Sequence, residues 1–264
     1  MRENKLRTIW KNGGAVINGW LQIASSYATE TMAHQDWDSL TIDMQHGPVD
    51  FQSALSMLQA ISTTDAVPMA RVPWNEPGVI MRMLDAGCYG IICPMVNSRA
   101  EAEAFVGACR YPPHGYRSMG PNRAVLYAGA DYAANANSTV VTMAMIETAE
   151  AVKNLDEILS VPSLDAIYIG PADLSQSLGF APRVDPTEPK VVETVDRILE
   201  GCRTHGIVAG MHMGAPAYAK QMIEKGVQFV TMGSDSRLLA SAASAVVAEM
   251  KGGRKELETV KGPY

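Results

Sequence analysis

Residues 166–178 read Ala166-Ile-Tyr-Ile-Gly-Pro-Ala-Asp-Leu-Ser-Gln-Ser-Leu178. An apolar and aromatic run stops at a glycine and a proline, and Leu174 and Leu178 then follow at helical spacing. A short run without polar alternation suits a strand buried on both faces, as in parallel sheet. Proline fits the first turn of a helix, where its missing N–H has no partner to lose. The stretch therefore predicts a strand, a tight turn and a helix, and this unit recurs along the chain. Strand-like runs occupy residues 15–23, 39–44, 67–72, 90–96, 140–147, 166–170, 207–211 and 229–233. Helical patterns occupy 51–61, 77–86, 99–108, 149–159, 190–205, 216–225 and 234–250. Leu55, Leu58 and Ile61 share one face of the first, and Ser98 with Glu101 forms a capping-box pattern before the third. Gly87 and Gly226 mark helix ends. Strands alternating with helices in this number predict an α/β fold, a closed (β/α)8 TIM barrel forming one domain over residues 1–264. A doubly wound open sheet is the alternative.

Composition narrows the function. The 264 residues are 47% hydrophobic, enough to fill a large core, and the formal charge of -6 comes with no basic stripe, which excludes nucleic acid as a partner. No apolar stretch reaches the length of a bilayer span, and residues 1–14 are polar and charged, unlike a signal peptide. Both features point to the cytoplasm and away from a membrane. Cys88, Cys93, Cys109 and Cys202 form no C-x-x-C pair and are read as reduced, buried thiols. Residues 111–138 are too long for an ordinary connection. Their Pro112, Pro113, Gly115, Gly120 and Pro121, with Arg117, Arg123 and Tyr127, suggest an ordered loop. The charged tail, 251–264, is expected to be mobile or to dock on a neighbour.

In a barrel of this kind the chemistry sits at the carboxyl ends of the strands. There the sequence places Trp20 and Gln22, then Asp43 and His46, Arg71, Glu147, Gly170-Pro-Ala-Asp173, His212, and Ser234 with Asp235. Glu147 and Asp173 end adjacent strands and can converge on Mg2+ or Mn2+, which accept one or two carboxylates plus water and substrate oxygens. They can equally be acids placed to suit a helix dipole. Gly170, Pro171 and Ala172 allow a backbone turn that receives a carboxylate, or a plain strand-to-helix turn. An Asp43 that accepts from one imidazole nitrogen of His46 would raise its pKa and leave the other nitrogen as a base; a structural histidine is the competing reading. Arg71 can stabilise a developing oxyanion or can bridge to Asp43 or Asp85. His34, His114 and His205 fall in surface or loop positions. None of these strand ends offers the lysine that a Schiff-base aldolase needs.

The chain resembles the HpcH/HpaI aldolases, metal-dependent enzymes acting on 2-oxo acids. The resemblance rests on Ile42-Asp-Met-Gln-His-Gly-Pro48, Ala70-Arg-Val-Pro73, Leu84-Asp-Ala-Gly87, Ile92-Cys-Pro-Met-Val96, Arg110-Tyr-Pro-Pro-His-Gly-Tyr-Arg-Ser118, Ile146-Glu-Thr148, Asn154-Leu-Asp-Glu-Ile158 and Ile169-Gly-Pro-Ala-Asp-Leu-Ser175, in this order. It implies a class II aldolase that cleaves 4-hydroxy-2-oxo acids to pyruvate or hydroxypyruvate and an aldehyde. Glu147 and Asp173 would hold Mg2+, Mn2+ or Co2+, and the backbone near Gly170, Pro171 and Ala172 would hold the donor carboxylate. Arg71 would contact the oxo group, His46 with Asp43 would move the proton, and Asp85 would act from a neighbouring subunit. A homo-oligomer, a hexamer built as a trimer of dimers with an exchanged C-terminal helix, is implied too. Trp20, Met145 and His212 would touch substrate. Met145 stands where the family often has Gln, and His212 where an apolar residue is common, which implies a different aldehyde preference. The alternatives are a decarboxylase of oxaloacetate-like acids and an acyl-CoA lyase.

Overall fold

The computed structural model describes residues 1–252. Eight parallel strands, β1 (Val16–Leu21), β2 (Ser39–Asp43), β3 (Val67–Arg71), β4 (Gly90–Cys93), β5 (Val141–Ile146), β6 (Ala166–Ile169), β7 (Val208–Met213) and β8 (Phe229–Met232), pair in sequence order. β1 also pairs with β8, so the sheet closes on itself and the open-sheet alternative falls. Side-chain alternation along each strand then separates two cores. Val67, Met69, Met143, Met145, Tyr168 and Phe229 belong to the cluster that fills the barrel. Leu40, Ile42, Ile91, Ile146, Ile169 and Val230 belong to the one between strands and helices. That double burial is why the strands read as continuous apolar runs.

The helices 77–85, 99–109, 189–205, 216–224 and 235–250 follow the predicted patterns closely. Ser98 and Glu101 form the full capping box. The pattern at 149–159 is divided at Asn154 into Ala149–Lys153 and Leu155–Leu159, and the Asn154 side chain donates to the Asn97 carbonyl at 2.8 Å. The segment 111–138 is not a plain loop: helices Asn122–Ala128 and Tyr132–Thr139 lie in and just beyond it, separated at Gly129, whose φ is 111°. Its Arg117 is buried against the Tyr111 ring, with bonds to Asp85 at 2.7 Å and the Tyr132 hydroxyl at 3.0 Å.

The N-terminal residues form the helix Lys5–Lys11, an element the sequence did not announce. Leu6 is fully buried in the barrel cluster. Asn4 donates to the carbonyls of Tyr89 and Thr139, Arg7 reaches Val140 and Asp165, and Trp10 donates to Gln228. These groups lie at the N-terminal ends of strands, so the helix floors the barrel. At the other extreme, the helix Asp235–Met250 exposes Leu238, Leu239, Val246, Val247 and Met250, and Asp235 is its buried residue. Most of the charged tail, residues 253–264, lies outside the described residues. Among the described residues, no helix is long and apolar enough to cross a membrane.

Candidate active site

The register that pairs Asp43 with Arg71 places both at the same level of adjacent strands. Arg71 donates from Nε to Asp43 Oδ1 at 2.9 Å and from Nη2 to Oδ2 at 2.8 Å, a two-point pairing of planar groups. Both side chains are essentially inaccessible. Trp20 Nε1 and Gln22 Nε2 also donate to Asp43 Oδ2, at 3.1 and 3.0 Å. Burial alone would raise the Asp43 pKa. The Arg71 hydrogen bond and charge, with those from Gln22 and Trp20, outweigh it and hold the carboxyl at about 2. Of the two salt bridges weighed for Arg71, the one to Asp43 forms. Asp85 instead ends the helix Pro77–Asp85 and pairs with Arg117, away from this group.

His46 departs from the sequence expectation in one respect. The backbone N–H of His46 donates to Asp43 Oδ1 at 3.3 Å, beside that of Gln45 at 3.1 Å. Its pKa is lowered, not raised: burial and the Arg71 charge outweigh the opposing charges of Asp43 and Asp173. The imidazole is therefore neutral at neutral pH and within electrostatic reach of Arg71, Asp43 and Asp173. Gly47 makes the turn possible, since a Cβ there would sit 2.5 Å from the Asp43 carbonyl oxygen.

Glu147 follows β5 and is 3% exposed. Its Oε1 accepts the Met95 N–H at 2.8 Å, and Met95 holds the left-handed φ of 56° just past β4. Its Oε2 lies so close to Gly170 that any Cβ there would collide with it. Burial pushes the Glu147 carboxyl up to about 7, and the Asp173 charge adds to the rise against the Met95 bond. Asp173 sits in the first turn of Pro171–Ser177 and is half-buried, which is the placement that a helix dipole favours. A buried carboxylate beside a second one is a poor place for two bare negative charges and a good one for a cation. The donor set is hard oxygen, which fits Mg2+, Mn2+ or Co2+ in a site completed by substrate and water. Among the described residues no group of three or more His, Cys, Asp or Glu side chains gathers for a metal, and all four cysteines are buried.

His212 is the next-to-last residue of β7, within the strand and not after it. It is 6% exposed, its Nδ1 lies 3.0 Å from the Tyr168 hydroxyl, and its ring meets Trp20 edge-on at 5.2 Å. Burial, with the charge of Arg71, pushes its pKa down to about 3. Met145 is buried in the barrel, with Gly170 close by. Asp235 is structural: its carboxylate accepts the N–H groups of Gln22 and Ile23 at 2.8 and 3.1 Å. Met95 and Tyr168 were missed by the sequence reading. One acts through its backbone and the other sits mid-strand, so neither carried a signal.

Comparison with known proteins gives the family and the fold. Residues 17–242 match the model of the HpcH/HpaI aldolase/citrate lyase family. A hydroxypyruvate/pyruvate aldolase of Rhizorhabdus wittichii is 44% identical over 248 residues, covering 94% of this chain and 99% of its own. A 4-hydroxy-2-oxo-heptane-1,7-dioate aldolase of Salmonella dublin is 38% identical over 267 positions, covering 99% of this chain and all of its own. The crystal structure of a family protein from Burkholderia cenocepacia superposes with a TM-score of 0.87 at 30% identity, over 94% of this chain and 99% of that one. The chain belongs to the HpcH/HpaI aldolase/citrate lyase family.

Proposed function

We propose that the protein is a class II aldolase that reversibly cleaves 4-hydroxy-2-oxo acids to pyruvate or hydroxypyruvate and an aldehyde. The observation that carries this reading is the buried Glu147 carboxylate set against the Asp173 charge, with Arg71 and His46 in electrostatic reach. Glu147 and Asp173 would hold a divalent cation, which when bound supplies Lewis-acid polarisation of a 2-oxo acid. Arg71, fixed by Asp43, faces the negative charge that develops on the oxo oxygen as the carbon–carbon bond breaks. His46, neutral, takes the proton of the 4-hydroxyl group and returns it in the reverse direction. The backbone at Gly170, Pro171 and Ala172 receives the donor carboxylate, and Trp20, Met145 and His212 border the space for the aldehyde.

Asp85 belongs to the site of a neighbouring subunit in this reading. The exposed apolar residues of Asp235–Met250 support a homo-oligomer, a hexamer assembled as a trimer of dimers with that helix exchanged. The test begins with enzyme stripped of metal by a chelator and verified by elemental analysis. Cleavage should vanish and return with Mg2+, Mn2+ or Co2+, and calorimetry should show Mn2+ binding that Glu147→Ala and Asp173→Ala each lose. Full turnover in verified metal-free protein would overturn the assignment. Release of CO2 without consumption of aldehyde would point to decarboxylation.

A further inference from the structure

Between β4 and the helix Arg99–Cys109, Asn97 engages its backbone N–H, its carbonyl and both ends of its amide. The N–H donates to Glu101 Oε2 at 2.7 Å, beside that of Ser98 at 3.1 Å, and the carbonyl accepts from Asn154 Nδ2 at 2.8 Å. Asn97 Nδ2 donates to the Met95 carbonyl at 3.1 Å, and Asn97 Oδ1 accepts the Thr148 hydroxyl. A carbonyl can only accept, so the Met95 oxygen decides which end of the amide faces it. Thr148 Oγ1 in turn accepts the Ala151 N–H at 3.0 Å and so caps the helix Ala149–Lys153.

Both side-chain partners of Asn97 adjoin Glu147. Thr148 follows it in the chain, and Met95 donates its N–H to Glu147 Oε1 at 2.8 Å. Met95 holds a left-handed φ of 56°, a conformation that costs a residue with a side chain and persists where the surroundings impose it. Here both backbone polar groups of Met95 are bonded, the N–H to Glu147 and the carbonyl to Asn97. One amide thus ties the donor that meets the Glu147 carboxylate to the backbone that carries it. The fastening continues past Thr148, where the Ala149 N–H donates at 2.9 Å to Ser177 Oγ, at the end of the helix that bears Asp173.

We infer that Asn97 is a positioning residue of the candidate metal centre, locking the Met95 N–H and the Glu147–Thr148 backbone in the pose from which Glu147 meets a divalent cation. The inference rests on the reading of Glu147 and Asp173 as metal ligands. Asn97 acts through Met95 and Thr148. Partners that orient a ligand commonly set metal affinity by about 10–100-fold.

The test uses full-length, metal-stripped enzyme at a temperature where circular dichroism shows each variant folded. Calorimetry with Mn2+ should show Asn97→Ala weakened on the order of tenfold or more. Thr148→Val, which loses the hydroxyl, should weaken likewise, and Thr148→Ser, which keeps it, should stay near wild type. Asn97→Ala combined with Thr148→Val should lose little more than the weaker single variant, because the two act through one contact. A purely structural residue would lower stability and leave the affinity of the folded protein unchanged. If Asn97→Ala does not fold, Thr148→Val against Thr148→Ser decides the matter. Without metal, hydrogen exchange over residues 90–98, followed by mass spectrometry, should be faster in Asn97→Ala than in wild type. Unchanged exchange, unchanged Mn2+ affinity, or a Thr148→Ser as weak as Thr148→Val overturns the role of Asn97 and leaves the metal reading standing. A wild type that binds no Mn2+ overturns the metal reading and this role with it.

Discussion

Replacing Arg71 by Met tests the energetic logic of the site. The substitution keeps the apolar stem and removes two of the donors that Asp43 accepts, leaving those of Trp20, Gln22 and the 45–46 backbone. Asp43 is fully buried, so its charge cannot turn to water. Breaking a buried pair by removing one partner costs roughly 3–5 kcal/mol, because the other charge is stranded. Removing the stranded charge as well, in Arg71→Met with Asp43→Asn, should recover about 2 kcal/mol of that loss. The pH dependence follows from the same pair. Asp43 is held at about 2 against an ordinary 3.8, so in the wild type it contributes about 2 kcal/mol at neutral pH. That contribution is complete above about pH 5 and fades as pH falls towards the folded pKa. Without Arg71, burial dominates and the Asp43 pKa rises above its ordinary value. The variant's deficit is then largest at neutral pH and narrows on acidification, as the stranded carboxylate takes up a proton. Urea unfolding of the three proteins at neutral and mildly acidic pH measures all of this. A single variant within about 0.5 kcal/mol of wild type, or a double variant no more stable than the single, would refute the stranded-charge argument. Both variants should lose on the order of a hundredfold or more in kcat, since a preorganised positive charge is gone in each.

Gly170→Ala should weaken Mn2+ binding at least about tenfold, because the new Cβ displaces the Glu147 carboxylate; unchanged affinity by calorimetry would contradict the packing. The four thiols should resist Ellman's reagent in the native protein and react only on unfolding, since burial pushes Cys88, Cys109 and Cys202 up to about 12 and Cys93 is equally enclosed. Truncation before Asp235 should reduce the oligomer size seen in sedimentation if the apolar residues of the last helix are covered by another copy; an unaltered assembly would show that they are not.

The barrel was legible because its strands are buried on both faces, which writes each one as an apolar run between turn residues. The helix Lys5–Lys11 was not, since it is tied to the strand ends largely through the polar groups of Asn4, Arg7 and Trp10. The helices Asn122–Ala128 and Tyr132–Thr139 were hidden for a related reason. Tyr132–Thr139 is mostly alanine, asparagine and serine, with no apolar stripe, and its Tyr132 packs on Arg117, while Asn122–Ala128 buries only Ala124 and Ala128. At the site, residue types at strand ends pointed to Glu147, Asp173, Arg71 and His46. The direction of the His46 shift depends on burial and on an arginine from the next strand, neither of which local spacing encodes. The buried pair of Asn18 and Thr231 is still less visible, because its members meet only when the sheet closes and brings β1 beside β8.

The floor laid by the N-terminal helix closes one end of the barrel. Leu6 plugs the base and the side chains around it are tied to the strand ends, so among the described residues the approach to the candidate site is from the opposite rim. Entry and exit then share one path. A molecule bound near that rim blocks departure as well as arrival, and whatever is seated deepest must leave last.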